Sequence, residues 1–187
     1  MVKNGNAAVY VNNNYQNGKH VDIAITYQGS DVYYAIMSVM GFTAITVLAL
    51  SSRKARTDRI FFYITAALNF TAMIAYFAMG SNLGWTPIDV EWLRTNPVVS
   101  GTNREIFYVR YIDWVITTPL LLTDLLLTAG MPSQTIAWTI FMDEVMIVTG
   151  LVGALVKTRY KWGMWYPNHA FHLFAPRFIF LHYALTF

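Results

Sequence analysis

Cysteine is absent from the 187 residues. That excludes disulfides and thiolate metal sites, and it leaves no trace of the redox compartment. Charge is scarce: Asp, Glu, Lys and Arg make up 12%, against about 25% in soluble domains. The net charge of +3 sits in a few loops and says little about partners. No basic-then-apolar signal peptide opens the chain. The first residues, MVKNGNAAVYVNNNYQNGKH, form an Asn-rich polar tail that is expected to be mobile. The sequon Asn69-Phe70-Thr71 lies inside an apolar run, which argues against glycosylation. Nothing reads as a nucleotide-binding loop, a nucleophilic triad, a zinc motif or an internal repeat.

What is present is apolar. Hydrophobic residues account for 56% and aromatics for 16%. The fold class that follows is all-α, a multi-pass transmembrane helix bundle with the lipid bilayer as its surroundings. Four spans are readable: Tyr33 to Leu50, Ile60 to Met79, Arg104 to Leu127 and Gln134 to Val156. Each is long enough to cross about 30 Å of hydrocarbon. Ser30 or Asp31 is the expected cap of the first. Pro119, inside the third, is expected to kink it and free the carbonyl of Val115. Residues 81–103 read as a long loop of mixed charge with Trp85 and Trp92.

Loop one holds Arg53, Lys54, Arg56 and Arg59 against Asp58. The positive-inside rule puts it in the cytoplasm and the N-terminus outside. Lys157, Arg159 and Lys161 then fall on the outer side, in conflict with the same rule; the larger and earlier cluster carries the assignment. The last 24 residues are aromatic but hold Pro167, Pro176, Arg177 and the histidines His169, His172 and His182, and they read as an interfacial segment. No metal is assigned to those histidines, and hydropathy leaves no room for a nucleic-acid partner.

The third span carries the chemistry. It reads RYIDWVITTPLLLTD, and Arg110, Asp113, Thr117, Leu121 and Asp124 follow one another at steps of three, four, four and three. On a helix these steps make a single stripe. Asp113 and Asp124, eleven residues apart, lie about 16 Å apart along the axis. A charge at mid-bilayer costs on the order of 3 kcal/mol on insertion scales. Acids there are functional by default, although interior polar groups also tie helices together. An acceptor beside a cation and a donor among Leu, Thr and Pro form a proton relay, with Thr117 in reach of the first carboxylate. In the fourth span, Asp143, Met146, Gly150 and Gly153 share a face. That face reads equally as a pocket wall, with Asp143 bonding a hydroxyl of the third helix, or as tight packing through Gly150 and Ala154. Asn69 and Tyr76 share a face of the second span as interior polar groups.

At RYIDWVITTPLLLTD, followed by MDEVMIVTGLVGAL, the chain resembles the microbial (type 1) rhodopsins, and REIFYVRYIDW looks like their fungal opsin branch. The resemblance covers roughly residues 31–163, the first four of that family's seven helices. It implies a light-driven outward proton pump or photoreceptor of the plasma membrane, not an enzyme, with all-trans retinal as cofactor. By the same resemblance Asp113 matches the counterion and primary proton acceptor, Arg110 the arginine that gates release, and Asp124 the proton donor. Trp114, Thr118 and Leu121 match third-helix positions lining the retinal. Met146 and Gly150 match fourth-helix positions near its ring, Asp143 the acid bonded to Thr118, and Tyr76 a second-helix tyrosine near the counterion.

The family holds retinal through a lysine of its seventh helix. The lysines here are Lys3, Lys19, Lys54, Lys157 and Lys161, and none lies within a span. The expectation is therefore a truncated seven-helix fold with three parts: a polar extracellular tail (1–30), the opsin-like helices (31–163) and a divergent aromatic tail (164–187). Such a chain is expected to be inactive alone unless other opsin chains supply the missing helices. A non-photoactive fragment that packs with partner helices and a chromophore-free proton carrier are the alternatives.

Overall fold

The computed structural model describes residues 7–12, 15, 16, 19–89, 103–156 and 163. Trp92, the basic residues Lys157, Arg159 and Lys161, and the aromatic tail with His169, His172 and His182 lie outside them.

The described elements are α1 (Ala7–Val11), β1 (Tyr15–Gln16), β2 (Lys19–His20), α2 (Tyr27–Ser51), α3 (Arg59–Gly80), β3 (Trp85–Asp89), β4 (Asn103–Phe107), α4 (Val109–Thr128) and α5 (Ser133–Leu155). The helices α2, α3, α4 and α5 are long and apolar enough to cross a membrane. Large apolar side chains such as Phe42, Ile45, Phe70, Trp138 and Phe141 stand exposed along them. In water that surface would drive aggregation; against lipid it is the ordinary outer face of a spanning helix. The chain divides into two compact units, Met1–Asp113 and Trp114–Phe187, with the division inside α4.

In the first unit α2 packs on α3 closely enough that a Cβ on Gly41 would come 2.7 Å from Met73 Sδ. Small residues such as Gly41 and Ala44 on α2, and Ala66, Ala72 and Ala75 on α3, are buried. In lipid, association of helices relies on such close approach rather than on hydrophobic burial. The helix α2 starts earlier than the sequence implied. Its cap is Thr26, whose hydroxyl accepts from Gly29 N at 3.1 Å. Ser30, expected as a cap, lies inside the first turn, and its hydroxyl donates to the Gly80 carbonyl at the end of α3. An in-register tie to a second helix is invisible to a rule that reads only the next few residues.

The third span also starts later than expected. Residues 103–107 are strand β4, antiparallel to β3 in register Trp85↔Phe107 through Asp89↔Asn103. Asn82 (φ 55) and Gly84 (φ 68) turn the chain from α3 into β3. Gly84 has no substitute there, because its φ is positive and a Cβ would meet Val109 Cβ at 2.7 Å. The N-terminal segment joins the same sheet. Asp22 N and Ile23 N donate to Asn103 O at 3.1 and 2.9 Å, and Glu105 N donates to Ile23 O at 3.0 Å. α1 is tied as well: Asn12 Nδ2 donates to Ser81 O at 2.5 Å, and Asn82 Nδ2 donates to Asn12 O at 2.9 Å. Within the polar tail, residues 7–12 thus carry a helical turn and side-chain ties to the end of α3. Backbone pairing holds a stretch that composition alone leaves loose.

In the second unit α4 runs unbroken through Pro119. It closes at Gly130 (φ 69), with Met131 N donating to Leu126 O at 3.0 Å. This glycine-terminated ending turns Met131 back onto the core of Leu126 and Ile136, with Leu122 and Ile140 packed against it.

Candidate functional site

In the first unit Arg110 sits in the opening turn of α4, just after β4. Its Nη2 donates to the phenol oxygen of Tyr33 at 2.8 Å and lies 3.9 Å from Met79 Sδ. The Tyr33 ring is held between Tyr76, at 5.9 Å and 53°, and Phe107, at 6.1 Å and 81°. One turn after Arg110, Asp113 is buried. Sequence reasoning placed Arg110, Asp113 and Tyr76 in one functional region, and the structure adds Tyr33 to the arginine. In the sequence Tyr33 stands only as the start of the first apolar span. The usable signal was a phenol inside a membrane span, since a buried tyrosine hydroxyl usually finds a partner.

Glu105 is a second residue the sequence did not flag. Its Oε2 accepts from Ile25 N at 2.7 Å, while Oε1 is buried and has no hydrogen-bond partner among the described residues. Burial pushes its carboxyl above the ordinary 4.5, against the opposing pull of the Ile25 amide.

In the second unit the hydroxyl of Thr118 lies 2.5 Å from Asp143 Oδ2 and 2.7 Å from the Trp114 carbonyl. The link expected between Asp143 and a hydroxyl of the third helix is therefore present. This face of α5 therefore carries a polar tie to α4. The single hydroxyl hydrogen of Thr118 is shared between these two acceptors. On either side of it on α4, Trp114 is 43% and Leu121 55% exposed. Met146 and Gly150 on α5 are half-buried, and Thr117 is buried. Asp124 Oδ1 is buried without a hydrogen-bond partner among the described residues. Lys54 lies between α2 and α3 with its ammonium 5.9 Å from the Phe62 ring, outside every span.

The fold and the acids together define an integral membrane protein built of spanning helices with carboxylates inside them. The sequence profile of the family described as "Bacteriorhodopsin-like protein" matches residues 28–183. The chain is 62% identical over 158 residues to the opsin-like protein carO of Fusarium fujikuroi, covering 84% of this chain and 52% of that one. It is 41% identical over 131 residues to archaerhodopsin-2 of Halobacterium sp. (strain aus-2), covering 68% of this chain and 45% of that one. Among solved structures, the light-driven proton pump CsR of Coccomyxa subellipsoidea superposes with a TM-score of 0.72 at 35% identity, covering 81% of this chain and 64% of that one. The light-driven proton pump LR (Mac) of Leptosphaeria maculans gives 0.71 at 32% identity, covering 82% and 66%. The chain belongs to this family, the microbial rhodopsins, on their fungal opsin side. It spans about half the length of the curated relatives it matches.

Proposed function

We propose that the chain carries the proton-acceptor and proton-donor half of a light-driven, outward proton transporter that uses all-trans retinal. The observation that carries this reading is the pair of acids on one continuous membrane helix, with Asp124 holding a buried oxygen that has no partner among the described residues. A polar atom left so in lipid costs free energy, and a proton-transfer role accounts for it.

Asp113 receives the proton and Arg110 supplies the neighbouring cation. Asp124 re-supplies the proton from the other end, and Thr117 offers a hydroxyl between them. Trp114, Thr118, Leu121, Met146, Gly150 and Tyr76 would line the chromophore, and the Thr118–Asp143 link fixes the wall formed by α4 and α5. The exposed Trp114 and Leu121 fit an apolar polyene. Bound retinal would supply light absorption and a light-labile proton. None of the four described spans holds a lysine, so in this reading the anchoring lysine is supplied by a residue outside them or by another opsin chain. The basic residues of the loop between α2 and α3 support a cytoplasmic side for that loop and an outer N-terminus, and the family resemblance supports the plasma membrane. Residues 1–30, 31–163 and 164–187 are the three parts of this reading.

The test uses the 187-residue chain in vesicles, alone and co-expressed with the C-terminal half of the Fusarium fujikuroi opsin-like protein. All-trans retinal is added, and the visible spectrum is read before and after borohydride. The chain alone is expected to give no borohydride-sensitive band. The pair is expected to give one, together with outward proton movement in light that Asp113→Asn abolishes. A pigment without proton movement leaves photoreception. Dark proton flux lost in Asp124→Asn without any pigment would replace this reading with a chromophore-free carrier.

A further inference from the structure

We infer that Tyr33 is the positioning residue of Arg110: its phenol oxygen, fixed by two flanking rings, sets where the guanidinium rests. The consequence for proton release rests on the transport reading above; the positioning does not.

Three features carry it. The contact itself is short, with Nη2 at 2.8 Å from the Tyr33 oxygen. The ring is fixed from two further elements, Tyr76 of α3 and Phe107 of β4. Phe107 stands three residues before Arg110, so the junction that carries the arginine also carries a ring packed on its acceptor. A rotation of that junction would therefore disturb ring and hydrogen bond together. On its other side the guanidinium meets the thioether of Met79 at 3.9 Å, a weak acceptor.

The chemistry of the partner matters. Arginine stays charged under all working conditions. A carboxylate in place of Tyr33 would both hold and neutralise it. A neutral phenol holds it without neutralising it, so its charge stays available to any nearby acid whose protonation changes. A cation held this way can swing when the field around it alters.

The experiment reads the guanidinium directly in the chain as it exists. Arginine is labelled with nitrogen-15, the protein is placed in lipid nanodiscs, and Arg110→Lys assigns the signal. Exchange of the Arg110 Nη hydrogens with water is then compared with that in Tyr33→Phe, which keeps both ring contacts and removes only the oxygen. The expected result is an acceleration of about tenfold, the scale of a hydrogen bond to a charged group, with other arginines unchanged. Unchanged exchange overturns the inference whatever the transporter does. Should Tyr33→Phe not fold, Phe107→Leu keeps the hydroxyl but slackens its ring. It is read the same way, with about threefold acceleration expected and none overturning the proposal. In the co-expressed pair, Tyr33→Phe is expected to shift the pH dependence of light-driven proton release. No shift there, with exchange accelerated, overturns the functional consequence and leaves the positioning standing.

Discussion

The two ends of α4 treat their polar groups in opposite ways. At the start, Arg110 donates to a phenol that two rings hold in place. Near the end, Asp124 keeps a buried oxygen with no partner among the described residues. A membrane helix ordinarily satisfies what it buries. The arginine end obeys that rule through side chains from α2 and α3, whereas the aspartate end departs from it. A group held by partners contributes to stability, and removing a partner costs. A group without one contributes little, and its retention points to function rather than folding.

That contrast can be broken most strongly at the scaffold behind Arg110. Gly84→Val forces a β-branched residue to φ 68 and drives its Cβ against Val109 at 2.7 Å. A loss of about 2–3 kcal/mol is expected, measured as the midpoint of unfolding in mixed micelles. An unchanged midpoint would mean that the β3–β4 hairpin does not support the arginine end. Thr118→Val comes next. It removes the hydroxyl at 2.5 Å from Asp143 while keeping the shape. Interhelical hydrogen bonds in membranes contribute about 0.6 kcal/mol on average and up to about 1.7, so a loss in that range is expected.

The third effect is local and depends on pH. Folding raises the carboxyl of Glu105 above 4.5 because burial penalises its charge. A group raised in this way favours the folded state below its unfolded value, and that contribution is lost as pH climbs through the folded value. Protection of the amides of residues 21–25 should therefore weaken as pH rises from about 4.5, beyond the intrinsic trend of exchange. Glu105→Gln, which can still accept from Ile25 N, should flatten the dependence. A profile unchanged by that substitution would show that Glu105 does not govern the strap. Smallest of all is Asp124→Asn, expected to shift the unfolding midpoint by no more than about 0.5 kcal/mol. A larger loss would place Asp124 among the structural groups and close the contrast between the two ends.

Much of the fold was legible because lipid imposes a length. Runs of about 20 apolar residues declare themselves, and the ends near Ser51, Gly80 and Gly130 fell where basic or glycine residues interrupt them. The junction before Arg110 was not legible. The stretch Arg104–Phe107 reads as the opening turn of the helix behind it, yet Asn103–Phe107 pairs with Trp85–Asp89, whose own residues read as a loop. Strand preference depends on such partners more than on the residues themselves. Tyr33 was hidden for a related reason: a phenol's use depends on which donor reaches it, and that donor is 77 residues away.

By itself, the sequence determined that four helices cross a membrane, that acids and an arginine share one stripe of the third, and that the chain resembles microbial rhodopsins. Hydropathy and helical period are local quantities, so they survive without coordinates. Only the tertiary structure decided that Tyr33 holds Arg110, that Thr118 meets Asp143, and that the N-terminal stretch is bound to β4 through Glu105. Each of these is a hydrogen bond between residues far apart in the chain, and such bonds exist only once packing has brought donor and acceptor within about 3 Å.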